Sequence, residues 1–429
     1  MLSEELQERL VEQLVDRIED LNLTILTEIG KQIKYIGTLT PSQAHKLSQM
    51  IMYGENMNKI ARELAKITNL SVQDIYKIFK QTAIENQEFA RQFYKAKGVK
   101  FVPYSENIPL QKEVKAIAKI TANTYKNLMK STAYVLDDRL VPIGKIYQEV
   151  LDKAILSVSQ GKEAYSEIMR KTMQNLADNG MRIRLDKNGK PTGTRVIDFK
   201  SGRSVRADSQ IRMNLLDGVR TLFNELQKQF GDEYGADGIE ISHHQNSAPD
   251  HIDTIDGKQF ARIDVIKEQI LDGTQKNIKL NDIKDDMVKV NGKWYKDFDS
   301  VNNKLERPVS TLNCRHYTFS IVLGVSKPEY TEEQLKADKE RNLKGFEYNG
   351  KHYTLYEGTQ LQRRMETRIR QYKDRQIVAR SMGDADEIGH CQRKITEWNY
   401  RYKTLCNASG LRPKMERMRV SGYQRVKVG

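Results

Sequence analysis

Apolar residues recur at every third or fourth position over long stretches of the chain, and this helical period is the feature that most limits its fold. At the start of the chain the repeat is carried by Leu6, Leu10, Leu14, Ile18 and Leu21. Residues four apart lie on one face of an α-helix, so the pattern predicts a single amphipathic helix from residue 3 to about residue 35.

The same helical texture continues to about residue 180, and we predict that residues 1–181 form a helical N-terminal domain. Ser71-Val72-Gln73-Asp74 is typical of a helix start. A helix over residues 58–67 is therefore expected to be separate from one that begins at Ser71. Two or three further helices are predicted between residues 111 and 179, with an interruption near Pro142.

After residue 181 the chain changes to short alternating segments separated by turn residues. Residues 182–185 and 194–199 flank a turn-rich loop, which predicts a β-hairpin. Asn291-Gly292 and Asn349-Gly350 predict tight hairpin turns, because this dipeptide suits two consecutive left-handed residues. We predict that residues 182–330 form a central α+β module with a small sheet.

Residues 331–429 are predicted to form a basic C-terminal helical hairpin. One arm begins near Leu361, Gly383 separates it from a second arm, and that arm ends near Gly410. Cys391 and Trp398 lie in register with the apolar seam of the second arm. The predicted fold class is therefore α+β and predominantly α.

Positive charge is concentrated at the C-terminal end of the chain. The whole chain has a net charge of +14, and residues 358–429 contain 17 Lys and Arg against 7 Asp and Glu. Such a balance favours contact with a polyanion such as DNA, although a solvated helical face would look similar. The candidate nucleic-acid contacts are Arg363, Arg364, Arg368, Arg370, Lys373 and Arg375.

Most of the residues with unusual side-chain chemistry lie in two short segments, 242–251 and 312–317, which hold four of the seven histidines and one of the three cysteines. Thiolate and imidazole ligands together suit Zn²⁺. The candidate metal ligands are His244, His251, Cys314 and His316. The spacing is not that of a zinc knuckle, and the sequence favours the alternative, a hydrogen-bonded polar network that fastens two loops to the sheet, with no cofactor.

Nucleophilic catalysis is the second alternative for the same segments. Cys314, a nearby histidine and Asp250 or Asp253 have the composition of a thiol triad. No glycine-rich oxyanion turn surrounds Cys314, so we expect a protein that is not an enzyme. No run of about 18 apolar residues is present, so no membrane contact is expected.

Several motifs together resemble one protein family. They are Asp198-Phe199-Lys200-Ser201-Gly202-Arg203, the segment from Pro249 and His251 to Gly257-Lys258 and Phe260, Asn313-Cys314-Arg315-His316, Gly324-Val325-Ser326, Tyr356-Glu357-Gly358-Thr359-Gln360 with Gln362 to Lys373, Trp398, Tyr402 and Ser421-Gly422-Tyr423. This combination resembles the phage minor capsid protein 2 family, which is distantly similar to Mu F-like head morphogenesis proteins. The chain has Ser247-Ala248-Pro249 where the family pattern resembles Ala-Arg-Pro.

The resemblance implies a minor capsid or head morphogenesis protein of a tailed bacteriophage or prophage. It implies a position at the portal inside the capsid, with the host cytoplasm as the place of assembly. Its implied partners are the portal protein, capsid and scaffold proteins, and double-stranded DNA bound without sequence preference. It also implies a role in head assembly and in DNA packaging or delivery. The alternative is a metal-dependent hydrolase or toxin-like effector carried in the virion.

Overall fold

The chain is predominantly helical, with a few small antiparallel sheets. A computed structural model describes residues 4–44, 55–158, 160–185, 203–309, 314 and 316–426. Helix accounts for 64% of the described residues. The predicted α+β class, dominated by α-helix, is confirmed.

Contacts within the chain define two compact units. The histidine unit consists of Met1–Glu8, Ile75–Thr121 and Leu215–Thr359, and the hairpin unit of Arg9–Asp74, Ala122–Asn214 and Gln360–Gly429. Each unit combines separate stretches of sequence, so this is a different division from the sequence-based one. The regions 1–181, 182–330 and 331–429 stay a prediction about the order of sequence types along the chain.

The first part of the chain is built from long helices. They are α1 (Glu4–Ile36), α2 (Glu55–Lys97), α3 (Ile108–Lys130), α4 (Ile143–Val158) and α5 (Lys162–Asn179). Helix α1 confirms the first prediction and buries Leu14, Ile18 and Leu21. The break expected at Ser71 is wrong, because α2 runs through it with Ser71 buried inside. No Gly or Pro lies between residues 58 and 94, so nothing in the sequence interrupts the helix.

A four-stranded sheet in the hairpin unit corrects the all-helical expectation for residues 111–179. Its strands, in the order β2-β1-β3-β4, are β1 (Thr132–Leu136), β2 (Arg139–Pro142), β3 (Arg182–Leu185) and β4 (Arg203–Arg206). Asp137 and Asp138 join β1 to β2 with φ of 47° and 59°, left-handed values that Asp tolerates in a tight turn. The strand expected at residues 194–199 lies outside the described residues. In the described part, β3 pairs with β1 and β4.

The histidine unit contains short strands and helices that follow the long helix α6 (Ala207–Glu233). The remaining elements up to residue 353 are β5 (Gly238–Ile241), α7 (Pro249–Ile252), β6 (Gln259–Ala261), α8 (Ile263–Leu271), β7 (Ile283–Lys284), β8 (Met287–Val290), β9 (Lys293–Lys296), α9 (Phe298–Asn302), β10 (Thr318–Ile321), α10 (Glu332–Lys344), β11 (Phe346–Tyr348) and β12 (Lys351–Tyr353). They form sheets with the strand orders β10-β5-β6, β7-β8-β9 and β11-β12. Both predicted Asn-Gly turns are confirmed, at Asn291 and Asn349, each with positive φ.

The C-terminal helical hairpin is also confirmed. Its arms are α11 (Leu355–Met382) and α12 (Ala385–Ser409). Gly383 has a φ of 76° between them, and Gly410 ends α12 in the left-handed conformation. Cys391 is buried in the seam of α12, as its register predicted.

Candidate functional site

The pairing of β5 with β10 brings the two histidine- and cysteine-bearing segments together. The strands are antiparallel, with Ile241 opposite Thr318. The pairing extends one step further, because the Ser242 N–H donates to the Tyr317 carbonyl and the Tyr317 N–H donates to Ser242 Oγ, both at 2.9 Å. The chain that leaves β5 and the chain that enters β10 therefore lie at the same end of the sheet.

His251, Cys314 and His316 form a buried group at that end, which we call the Cys/His cluster. His251 lies on the short helix α7, whose first turn contains Pro249. The Nδ1 atoms of His251 and His316 are 3.2 Å apart, and Cys314 Sγ lies 3.4 Å from His316 Nδ1 and 3.8 Å from His251 Nδ1. The three side chains are 2–3% exposed. Three atoms that can bind a metal thus converge on one point inside the protein.

Asp256 is the central acceptor beside the cluster. Its carboxylate accepts hydrogen bonds from His316 Nε2 at 2.8 Å and from His243 Nδ1 at 2.7 Å. It also accepts from the His244 backbone N–H and from Ser247 Oγ, each at 2.9 Å. Asp256 is not among the acids predicted from the sequence, which are Asp250 and Asp253. Its position immediately before Gly257, which has a φ of 69°, was the only local signal.

The ring of His251 is held from its other side by a loop. Its Nε2 lies 2.7 Å from the carbonyl oxygen of Arg307, which can only accept a hydrogen bond. Asp250 forms a two-pronged ion pair with the Arg307 guanidinium, which keeps that loop in place. Asp253 pairs instead with Lys339 at 2.6 Å, on the exposed side.

The surroundings shift the pKa values of Cys314, His316 and Asp256. Burial opposes a thiolate at Cys314, yet its contacts with His251 and His316 lower the pKa of the thiol to about 5. Burial likewise opposes a charged His316, yet Asp256 and Cys314 raise its pKa to about 9. Burial raises and hydrogen bonds from His243 and His316 lower the pKa of Asp256, and the net value is well below normal. Both the lowered pKa of Cys314 and the raised pKa of His316 run in the direction of a thiolate beside a positive charge.

Cys314, His316 and Asp256 are aligned like a nucleophile, a base and the carboxylate that orients it. Catalysis also requires that a substrate reach the sulfur, and Cys314 is only 3% exposed. A cavity of about 920 Å³ in the same unit is lined by other residues, among them Asp232, Arg262 and Glu268. Among the described residues, the triad-like alignment therefore lies in packed interior.

His244 lies beside the cluster without adding a ligand atom to it. Its ring packs edge-on against that of His316, with centroids 4.9 Å apart. Among the described residues, the group whose donor atoms come within 4.8 Å of one another consists of His251, Cys314 and His316. Of the four predicted ligands the structure thus brings together three.

The comparison with protein families covers almost the entire chain. The family model described as phage minor capsid protein 2 matches residues 2–407. The chain belongs to the phage minor capsid protein 2 family. No curated protein and no solved structure gives a significant match. Membership of this family indicates a structural role in a phage capsid. Within the described residues, no helix combines the length and the apolar character needed to span a bilayer.

In this family member the six candidate DNA contacts of α11 fall into two groups. Arg364 and Arg368 are exposed, and Arg363 is partly buried. Arg370 instead pairs with Glu19 at 2.8 Å, and Arg375 pairs with Glu387 at 2.9 Å. Lys373 donates to the carbonyl of Met418, and its ammonium lies 4.9 Å from the centre of the Tyr423 ring. Three of the six side chains are therefore held by contacts inside the hairpin unit.

Arg370 belongs to a buried ionic network in the hairpin unit. Besides Glu19 it contacts Asp208 at 3.4 Å, and Asp208 accepts a hydrogen bond from Arg206 at 3.1 Å. Asp374 lies 3.9 Å from Arg206. Burial, only partly offset by Arg370, raises the pKa of Glu19 to about 8, and burial raises that of Asp374 to about 7 despite Arg206. Three carboxyl groups share two guanidinium groups, an imbalance that favours retention of a carboxyl proton.

Proposed function

We propose that the protein is a non-enzymatic, portal-associated component that assists head assembly of a tailed phage. The observation that carries this proposal is the closure of the Cys/His cluster in a chain of a capsid protein family. The side chains best suited to chemistry are buried and joined by hydrogen bonds to Asp256 and to the Arg307 carbonyl. Such a cluster fixes the relative position of two loops, which is what a rigid docking body needs.

We propose docking at the portal because a component with few copies does not match the many equivalent positions of the shell. The family description as a minor capsid protein implies few copies, whereas the shell offers many equivalent positions. A low-copy component that is placed reproducibly needs a unique position, and the portal vertex is the unique vertex of a tailed-phage head. Capsid and scaffold proteins next to the portal are proposed as the other partners, and the capsid interior as the location.

Contact with packaged DNA is the second part of the proposal. Arg364 and Arg368 are exposed on α11 in a segment that contributes most of the chain's excess positive charge. Exposed arginines gain affinity from phosphates of any sequence through counterion release. The contact is therefore proposed to be independent of sequence and strongly weakened by salt.

A virion-borne hydrolase is the alternative that the alignment of Cys314, His316 and Asp256 favours. It differs from the assembly role in what Cys314→Ser does. For the hydrolase, particles would assemble normally and only a later step of infection would fail. For the assembly role, any defect appears as fewer complete heads.

The test is a deletion of the gene in an inducible phage, complemented with variants of the full chain. We expect the deletion to yield few DNA-filled heads in electron micrographs, and the wild-type protein to co-purify with the portal. Cys391→Ser, at another buried cysteine, is the control and restores filled heads. Normal numbers of infectious particles without the protein would contradict the proposal.

A further inference from the structure

We infer that His251, Cys314 and His316 form a structural zinc site, with Cys314 Sγ and the Nδ1 atoms of both histidines as ligands. The inference goes beyond the proposed role in head assembly, because a cluster held only by hydrogen bonds would also fix the two loops. It rests on the protonation of the rings, the spacing of the three atoms and the groups that support them.

The hydrogen-bond partners determine which ring nitrogens carry protons. The Nε2 atom of His251 faces a carbonyl oxygen and that of His316 faces a carboxylate, and both partners accept. Each Nε2 therefore carries the proton, and in the neutral ring each Nδ1 is left with a bare lone pair. These two lone pairs and the sulfur of Cys314 point at one another within 3.8 Å.

Three electron-rich atoms in a dry interior repel one another unless a positive charge lies between them. The thiol's own proton, transferred to one ring, would serve two of the three atoms, as an imidazolium beside a thiolate. A divalent cation serves all three at once. Metal binding releases the thiol proton to solvent and leaves both imidazoles neutral.

The spacing of the atoms matches tetrahedral zinc. With bonds of about 2.3 Å to sulfur and about 2.0–2.1 Å to nitrogen, tetrahedral angles place two nitrogens about 3.3 Å apart and nitrogen and sulfur about 3.6 Å apart. The observed separations are 3.2 Å between the nitrogens, and 3.4 and 3.8 Å from nitrogen to sulfur. One thiolate and two imidazoles suit zinc, whereas calcium and magnesium take oxygen ligands.

The supporting groups are those that zinc-bound histidines use. A ligand histidine donates its other N–H to a carboxylate or a backbone carbonyl, which fixes the ring. His316 has Asp256 for this purpose and His251 has the carbonyl of Arg307. Asp256 is in turn held by His243, which also contacts Asp338 at 2.9 Å. A tetrahedral zinc ion takes a fourth ligand besides these three, and the burial of all three side chains favours a structural over a hydrolytic site.

The test is the metal content of the full chain purified without chelators from zinc-replete cells, followed by protein produced in cobalt medium. We expect one equivalent of zinc. We also expect a near-ultraviolet thiolate-to-cobalt absorption band with visible bands of tetrahedral cobalt. The cobalt spectrum of the wild-type protein reports a cysteine ligand directly, so the test does not depend on a variant that folds.

Matched variants then assign the ligands. Cys314→Ser removes the thiolate-to-cobalt band, whereas Cys391→Ser, at another buried thiol, keeps it. His244→Ala keeps the bound metal, and Asp256→Asn weakens binding roughly 10–100-fold. Wild-type protein that contains no zinc and shows no cobalt band would overturn the inference. A band that survives Cys314→Ser would also overturn it.

Discussion

The Nδ1 atoms of His251 and His316 face each other at 3.2 Å, although each ring already donates its Nε2 proton to an acceptor. Such a meeting of lone pairs is stable only with a positive charge between the rings. This relationship connects the helix α7 to the entry of β10. The stability of that end of the sheet therefore depends on the charge state of the Cys/His cluster as well as on apolar packing.

Loss of the Asp256 charge is expected to destabilise the histidine unit strongly. Asp256→Asn removes the charged acceptor of the buried His316 Nε2–H, which costs about 3 kcal/mol. The matched control is Asp253→Asn, whose carboxylate has an exposed pair with Lys339, and which we expect to cost less than about 1 kcal/mol. Urea unfolding of the full chain measures both. Equal stability of the two variants would show that Asp256 is not the central acceptor.

The buried network of the hairpin unit predicts a dependence of stability on pH. The folded pKa of Asp374 is raised from 3.8 to about 7. A carboxyl whose folded pKa is raised contributes stability that is complete below its unfolded pKa and is lost as pH rises through the folded value. The protonated carboxyl therefore stabilises the unit at pH 5, and this contribution is gone by pH 8.

Asp374→Asn makes the neutral state permanent. We expect the free energy of unfolding of the variant, relative to wild type, to rise by about 2 kcal/mol between pH 5 and pH 8. Asp386→Asn, an exposed position at the start of α12, should follow the wild-type pH profile. Urea titrations at four pH values make the comparison. An Asp374→Asn profile parallel to that of wild type would count against a retained proton.

DNA binding is expected to depend on the exposed arginines of α11. The double variant Arg364→Ala with Arg368→Ala should reduce the slope of log affinity against log salt by about 2, without changing sequence preference. Arg375→Ala should mainly reduce stability, because Arg375 pairs with Glu387 inside the unit. Fluorescence anisotropy with labelled duplex DNA gives the slopes. An unchanged slope in the double variant would remove α11 as the contact surface.

Two glycines beside the β11–β12 hairpin offer a matched test of local geometry. A Cβ added at Gly345 would lie 1.9 Å from the carbonyl oxygen of Tyr353, whereas one at Gly350 would meet nothing within 4 Å. Both have positive φ, which alone costs an alanine about 1–2 kcal/mol. Gly345→Ala should therefore lower stability clearly more than Gly350→Ala in thermal unfolding. Equal losses of stability in the two variants would contradict the close approach of the Tyr353 carbonyl to Gly345, and with it the position of β12.

Local chemistry allowed much of the fold to be predicted. The apolar stripe of α1, the turns at Asn291 and Asn349, and Gly383 between the last two helices each act within a few residues. The hairpin of β1 and β2 is absent from the sequence prediction because Asp-Asp is not one of the preferred turn dipeptides. In the structure Asp137 and Asp138 nevertheless both adopt positive φ. The break at Ser71 was wrong because a capping sequence also fits inside a continuous helix when no Gly or Pro stops it.

The site could be predicted only in part, because rare residue types can be seen in the sequence whereas contacts between distant residues cannot. His251, Cys314 and His316 stood out because such residues are rare in this chain. Asp256 did not, because a single aspartate among 57 acidic residues carries no signal until the β5–β10 pairing places it beside His316. The pairing of Arg370 with Glu19 joins residues 351 positions apart. No local sequence pattern reveals a contact between such distant residues. For this reason the sequence predicts Arg370 as a DNA contact, whereas the structure pairs it with Glu19.

The most direct test of a closed, structural Cys/His cluster is the reactivity of Cys314 in the native protein. Contacts with His251 and His316 lower its pKa, so an accessible Cys314 would react with iodoacetamide faster than an ordinary cysteine. We predict that mass spectrometry finds Cys314 unmodified in the native protein and modified only after unfolding. Rapid alkylation of Cys314 in the folded protein would contradict a closed Cys/His cluster and would indicate an accessible reaction centre.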